Sequence, residues 1–307
     1  MNTLVNKISQ LAAGKRKLRL MEVCGTHTVA IFRSGIRQIL PENVELVSGP
    51  GCPVCVTCDD YIDKAVAYAR KKNFIVATFG DMLKVPGSRS SLATTQAEGA
   101  DIQIVYSPLD CLKLAEENPD KSVIFLAVGF ETTAPTQAAT VLAAKAKGIK
   151  NLFMLSAQKL VPPALKFLLN DSAIKVDGFL LPGHVAVVIG ANAFNFLPTD
   201  FKIPSAIGGF EAEEILTALA SILEQIDSGK IEVANDYRSV VKPEGNVAAQ
   251  KILSQVYEVA DADWRGMGKI PASGLKMRDE FAAFDIERVE PIEIEHVDKK
   301  TACRCGV

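Results

Sequence analysis

From Leu18 to Ile207 the chain repeats one pattern, a short run of apolar and often β-branched residues followed by a longer stretch with helical spacing of its apolar positions. Runs at Leu18–Val23, Val44–Val47, Phe74–Thr78, Ile102–Tyr106, Val123–Val128, Leu152–Leu155, Gly178–Leu181 and Ser205–Ile207 read as strands. Helical patterns at Val29–Leu40, Tyr61–Lys71, Leu109–Glu117, Pro135–Lys147 and Glu211–Ile226 fill most of the gaps. Strands that are apolar on both faces cannot border water, so they imply a parallel sheet covered by helices on each side. That is an α/β fold, in which ligands collect beyond the C-terminal ends of the strands.

Two short echoes suggest that the pattern is doubled. Val44 to Cys52 and Val176 to His184 each close an apolar run on Pro-Gly and a potential ligand, and Val128-Gly-Phe-Glu131 matches Gly208-Gly-Phe-Glu211. The expectation is two similar parallel-sheet domains facing a shared cleft, 1–120 and 121–230. Beyond Lys230 the rhythm fades into a looser segment, 231–307.

The sharpest chemical signal is Ser48-Gly49-Pro50-Gly51-Cys52-Pro53-Val54-Cys55-Val56-Thr57-Cys58, between a strand and a helix. Glycines 49 and 51 permit positive φ and close approach. Cys52 and Cys55 are thereby held near a helix start, where free N–H groups and the helix dipole favour thiolate. Thiols so placed exchange disulfides, hold a soft metal or act as nucleophiles. Cys24-Gly25-Thr26-His27 follows the first strand, and there the imidazole of His27 can lower the thiol pKa, ligate a metal or donate a proton. Glu131 and His184 also fall just after predicted strands, which places them with Cys24 and Cys52 as candidates for one cleft. Cys58 reads as a residue at a helix start and Cys111 as core.

Seven cysteines in 307 residues, an odd count in a chain with no apolar leader, argue for metal or redox chemistry in a reducing cytoplasm over a disulfide framework. Net charge is −2 and no basic run exceeds Arg70-Lys71-Lys72, so nucleic acid is not an expected partner. No apolar stretch is long enough for a membrane span. The glycine-rich signatures of nucleotide binding are absent.

Read from residues alone, three functions stay open. They are a thiolate site for a soft metal, a stand-alone thiol–disulfide oxidoreductase, and a structural zinc site closed by Cys24, His27, Cys52 and Cys55.

Met21-Glu22-Val23-Cys24-Gly25-Thr26-His27, the Gly49 to Thr57 run, Gly129-Phe130-Glu131-Thr132-Thr133-Ala134-Pro135, Pro182-Gly183-His184-Val185 and Gly208-Gly209-Phe210-Glu211 together resemble the HypD family of hydrogenase maturation factors. Trp264-Arg265-Gly266, Ser273-Gly274-Leu275 and Cys303-Arg304-Cys305-Gly306 extend the resemblance along almost the whole chain. It implies a scaffold on which the Fe(CN)2CO group of [NiFe]-hydrogenase is assembled with the small partner HypC, cyanide arriving from HypE. By motif, Cys24 would ligate iron, Cys52 and Cys55 would be a redox pair or further iron contacts, and His27 would orient or protonate. Glu131 and His184 stand as further catalytic candidates from their positions just after predicted strands. The family's C-terminal [4Fe-4S] segment would begin at Cys303 and Cys305. Relatives carry more cysteines past that point, so this chain, ending at Val307, is expected to hold no normal cluster. Cys58 stands where proline is expected in many relatives, and it could exchange with Cys55.

Overall fold

A computed structural model describes residues 2–295. Eleven strands are formed within them: β1 (Leu18–Glu22), β2 (Val44–Ser48), β3 (Phe74–Thr78), β4 (Ile102–Ile104), β5 (Ser122–Gly129), β6 (Leu152–Gln158), β7 (Gly178–Pro182), β8 (Ser205–Gly208), β9 (Val233–Asn235), β10 (Tyr257–Trp264) and β11 (Gly268–Met277). The α-helices that matter below are α1 (Asn2–Ala12), α2 (Gly25–Arg33), α3 (Ile36–Ile39), α4 (Asp59–Ala69), α5 (Leu92–Ala97), α6 (Asp110–Glu117), α7 (Ala134–Lys147), α8 (Val161–Leu169), α9 (Gly183–Ile189), α10 (Ala212–Ser228) and α11 (Val247–Val256). Among the described residues no helix is long and apolar enough to cross a membrane.

The chain divides into two α/β units, and they are not the sequential domains expected with boundaries at 120 and 230. Among the described residues one comprises 2–52 and 164–247; the other comprises 53–163 and 248–295. The division arises because β1 pairs on one side with β2 and on the other with β7, far along the chain. The first sheet therefore runs β2-β1-β7-β8-β9, all parallel. Its core joins α1 and α10 to the strands through Ile8, Leu20, Leu180, Leu219 and Ile222, all fully buried.

The second unit has a parallel sheet in the order β4-β3-β5-β6. Phe74–Thr78 is buried at every position and Ser122–Gly129 at all but the first, so these central strands carry apolar side chains on both faces. Within the segment read as loose past Lys230, the described residues include regular strands. Val233–Asn235 adds β9 to the first sheet, while β10 and β11 form an antiparallel hairpin in the second unit. Trp264 is fully buried there, its indole N–H donating to Ser273 Oγ at 2.8 Å.

The first echo is corrected too. Cys52 and His184 follow two strands of the same sheet, not equivalent strands of two halves. The second pair does lie in different units, since Glu131 follows β5 and Glu211 follows β8.

Candidate functional site

In the first unit the chain leaves β1 toward β2 on one side and enters β7, β8 and β9 on the other. That reversal is the place where an open α/β sheet leaves a crevice beyond its strand ends. The segments at those ends are Val23 to His27, Gly49 to Cys52, Gly183-His184 and Gly209-Phe210.

Two of these segments are stitched together by backbone. Gly49 N–H donates to Glu22 O at 2.8 Å, and Gly25 N–H donates to Gly51 O at 2.9 Å. A Cβ on Gly51 would fall 2.4 Å from Cys24 N and 2.6 Å from Cys24 Cα, so the two loops lie backbone on backbone. A Cβ on Gly25 would be 3.7 Å from Cys52 Cβ. Neither Gly49 nor Gly51 has positive φ. Their small size serves close approach alone, not the left-handed turn expected from the sequence.

Cys24 is the N-cap residue of α2, with extended backbone (φ −152°, ψ 125°) and no side-chain cap bond. Cys24, Cys52, Cys55 and Cys58 are all half-buried, and Cys111 is buried as expected for core. The start of α4 lies at Asp59, with Cys58 as its N-cap. Cys52 and Cys55 therefore sit in the preceding turn, and the dipole stabilisation expected for them acts mainly within the first turn of the helix, next to Cys58. Burial pushes the Cys58 thiol up, which opposes any such activation.

His27 is fully buried, its Nε2 2.8 Å from Gly209 O. A carbonyl only accepts, so Nε2 carries the proton and the lone pair of Nδ1 is left without a partner. Burial holds the imidazole pKa down at about 4. Phe210 lies between two imidazoles, its ring centroid 4.6 Å from that of His27 and 4.0 Å from that of His184. His184 is exposed on its other side, and desolvation against this stack lowers its pKa. Phe210 in turn is fixed because Glu214 Oε2 accepts its N–H at 2.8 Å within a capping box that starts α10. Sequence reading recorded Gly-Gly-Phe-Glu as a motif but missed Phe210 as the element shared by both histidines.

Because the folded state disfavours a proton on His27 while the unfolded chain accepts one near pH 6.5, stability is expected to fall as the pH drops from about 6.5 toward 4. The loss should reach about 3 kcal/mol at pH 4. Urea unfolding across that range checks it, and a His27→Gln protein should lose this acid-sensitive component.

Glu22 was also missed. It is a buried carboxylate at the end of β1, and desolvation raises its pKa. Its oxygens accept the Ser48 hydroxyl at 2.6 Å and the Thr28 hydroxyl at 2.9 Å. The signal was present in the sequence as one acid inside the apolar run Leu18 to Val23.

Glu131 belongs to the second unit, so it does not join Cys24, Cys52 and His184 at one set of strand ends. Its Oε1 accepts the N–H of Val161, the first residue of α8, at 2.9 Å. Oε2 is buried without a partner, and burial pushes the carboxyl up to about 7. In the same unit Arg265 grips the Val56-to-Asp59 turn. Its N–H donates to Val56 O at 2.9 Å, and its guanidinium pairs with Asp59 at 2.5 Å. The Trp-Arg-Gly motif therefore has a structural task beside the cysteine loop.

Among the described residues no three His, Cys, Asp or Glu side chains are placed to hold a metal ion. The closed zinc site of Cys24, His27, Cys52 and Cys55 is thus not formed. Cys303 and Cys305 lie outside the described residues.

The family model described as "HypD: Hydrogenase formation hypA family" matches residues 1–307. A putative hydrogenase expression/formation protein of Methanocaldococcus jannaschii is 43% identical over 301 residues, 97% of this chain and 84% of that one. The hydrogenase maturation factor HypD of Escherichia coli K12 is 43% identical over 293 residues, 95% of this chain and 79% of its own. That of Azotobacter vinelandii is 41% identical over 309 residues, covering 98% and 82%.

Proposed function

Because the chain belongs to the HypD family of hydrogenase maturation factors, we propose that it captures iron together with a small partner of the HypC kind and carries it while cyanide and carbon monoxide are added. Iron is the cargo here. Cys24 supplies one thiolate, Cys52 stands beside it, and Cys52 with Cys55 forms a dithiol that can exchange electrons with the cargo. Cyanide comes from a HypE-type donor.

The observation that carries this reading is the stitching of the Cys24 loop onto the Cys52 loop at the end of β1. Two cysteines carried on loops whose backbones touch suit a soft-leaning ferrous ion with strong-field ligands. They are too few to complete its coordination, which is what a scaffold that shares its metal requires. A docking surface is also at hand. Val29 and Phe32 on α2, the helix that Cys24 caps, are 48% and 78% exposed, an apolar face fit for a partner that brings its own thiolate. His27 holds a neutral imidazole with an open Nδ1 one turn from Cys24, and it serves as orienter or proton acceptor. His184 and Glu131 are assigned proton-handling roles.

The stand-alone oxidoreductase reading gains nothing from the turn that holds Cys52 and Cys55, which precedes the first turn of α4. The decisive experiment is anaerobic co-purification with the HypC-type partner followed by infrared spectroscopy. Bands of iron-bound cyanide and carbon monoxide are expected in the complex. Insulin reduction at catalytic rates without partner or iron, with no such bands, would overturn the proposal.

A further inference from the structure

We propose that Glu22 is the positioning residue of the thiol site, the single carboxylate that holds the Cys24 loop and the Cys52 loop at one spacing. For its purpose this inference rests on the iron-scaffold reading, but its geometry does not depend on it.

Each loop is tied to Glu22 separately. On the Cys24 side, Thr28 Oγ1 lies 2.9 Å from both carboxylate oxygens, and the same hydroxyl is 3.3 Å from Cys24 O. Thr28 N–H also donates to Cys24 O at 3.0 Å, so the first turn of α2 and the cysteine move as one piece. On the Cys52 side, Ser48 Oγ donates to Glu22 Oε1 at 2.6 Å, and the next residue, Gly49, donates its N–H to Glu22 O at 2.8 Å. Glu22 thus binds the end of β2 by side chain and backbone together. Arg37 Nη2 stands 3.9 Å from Oε1 while Nη1 of the same group donates to Leu46 O at 2.8 Å, adding a third tie between α3 and β2 around the acid.

A buried acid is costly to keep. A pair of neutral side chains would close the same gap between loops with less desolvation. Ionised, however, a carboxylate accepts on two oxygens at once and cannot donate. It therefore fixes the hydroxyls of Thr28 and Ser48 in one orientation each, where a hydroxyl or amide in its place would allow several. Precision in the spacing of two thiols is the quantity that metal capture needs, because a shared ion tolerates little displacement of its ligands.

The test reads thiol spacing without iron. The full chain carrying Cys55→Ser, reduced and anaerobic, is treated with the bifunctional reagent dibromobimane, and the Cys24–Cys52 link is quantified by peptide mass spectrometry. In Glu22→Ala the link yield should fall about tenfold, the scale set by ångström misplacement of reacting groups. Glu22→Gln keeps the length and one acceptor but lets the two hydroxyls turn, so it should recover only part of the yield; Glu22→Asp is too short to reach Ser48 and should recover none. Should Glu22→Ala fail to fold, Ser48→Ala removes only the second tie, and a lowered link yield with an intact near-ultraviolet dichroism spectrum is expected. Folded Glu22→Ala or Ser48→Ala protein that links like the parent would overturn the proposal, even if its unfolding midpoint has dropped, since that is the mark of a merely structural acid. Normal linking in the parent chain with no iron captured would instead defeat the iron reading and leave the role of Glu22 standing.

Discussion

A Cys24→Ala protein is expected to fold normally and to lose iron capture and hydrogenase maturation together. The two halves of that expectation have different physical sources. The Cys24 side chain makes no cap bond to α2. The contacts that organise its loop, Gly25 N–H to Gly51 O and Thr28 N–H to Cys24 O, are made by backbone and survive the substitution. The site is half-buried, so loss of the sulfur should cost about 1 kcal/mol or less. The effect on the cargo is of another order. Removing a residue that only orients a ligand lowers metal affinity ~10–100-fold, and removal of a ligand itself should exceed that. Iron content after anaerobic purification with the partner, read beside a urea unfolding curve, separates the two. If iron and maturation persist at the parent level in Cys24→Ala, Cys24 is not the ligand.

The strands were legible in the sequence for the reason that makes them parallel. Phe74–Thr78 is apolar at four of its five positions and buried at all of them, and Phe74–Thr78 was read with the bounds that the structure gives. Which sheet each strand joins was not legible. Leu18–Glu22 pairs with Gly178–Pro182 across a long stretch that builds the other unit, and an apolar run carries no mark of its distant neighbour. Nor was it legible that Glu131 follows a strand of the other sheet, because the position "just after a strand" says nothing about the strand's sheet. Tyr257 to Trp264 did carry a sign that was passed over. From Ala260 to Trp264 its acids alternate with apolar residues, the period-2 pattern of a half-buried strand, and Asp261 and Asp263 are the exposed positions there.

At the site, residue types were legible and their ties were not. Cys24, Cys52 and His27 announce themselves by chemistry, whereas Phe210 and Glu22 act through what they touch. Glu22 was visible as an acid in an apolar strand, a local conflict of the kind that marks a special site. Its partners Thr28 and Ser48 could not be named before β1 and β2 were known to be neighbours.

Gly51→Ala is expected to do the damage that Cys24→Ala does not. The added Cβ would sit 2.4 Å from Cys24 N and 2.6 Å from Val23 C, both backbone atoms that no side-chain rotation can clear. Relief requires the Cys52 loop to lift away from the end of β1, and the hydrogen bond from Gly25 N–H to Gly51 O would stretch with it. Overpacking of this kind costs typically ~1–3 kcal/mol and occasionally more. Rigid backbone on the far side puts Gly51 at the upper end. Gly25→Ala is the matched control. Its Cβ would meet Gly51 O at 3.6 Å and Cys52 Cβ at 3.7 Å, ordinary contact distances, so its stability should stay within about 0.5 kcal/mol of the parent. The measurement pairs urea unfolding with the dibromobimane link between Cys24 and Cys52. Gly51→Ala should lose both stability and link and Gly25→Ala neither. A Gly51→Ala protein as stable as the parent, with its thiols still bridged, would mean that the loops do not touch as described and that the thiols reach each other by some other path.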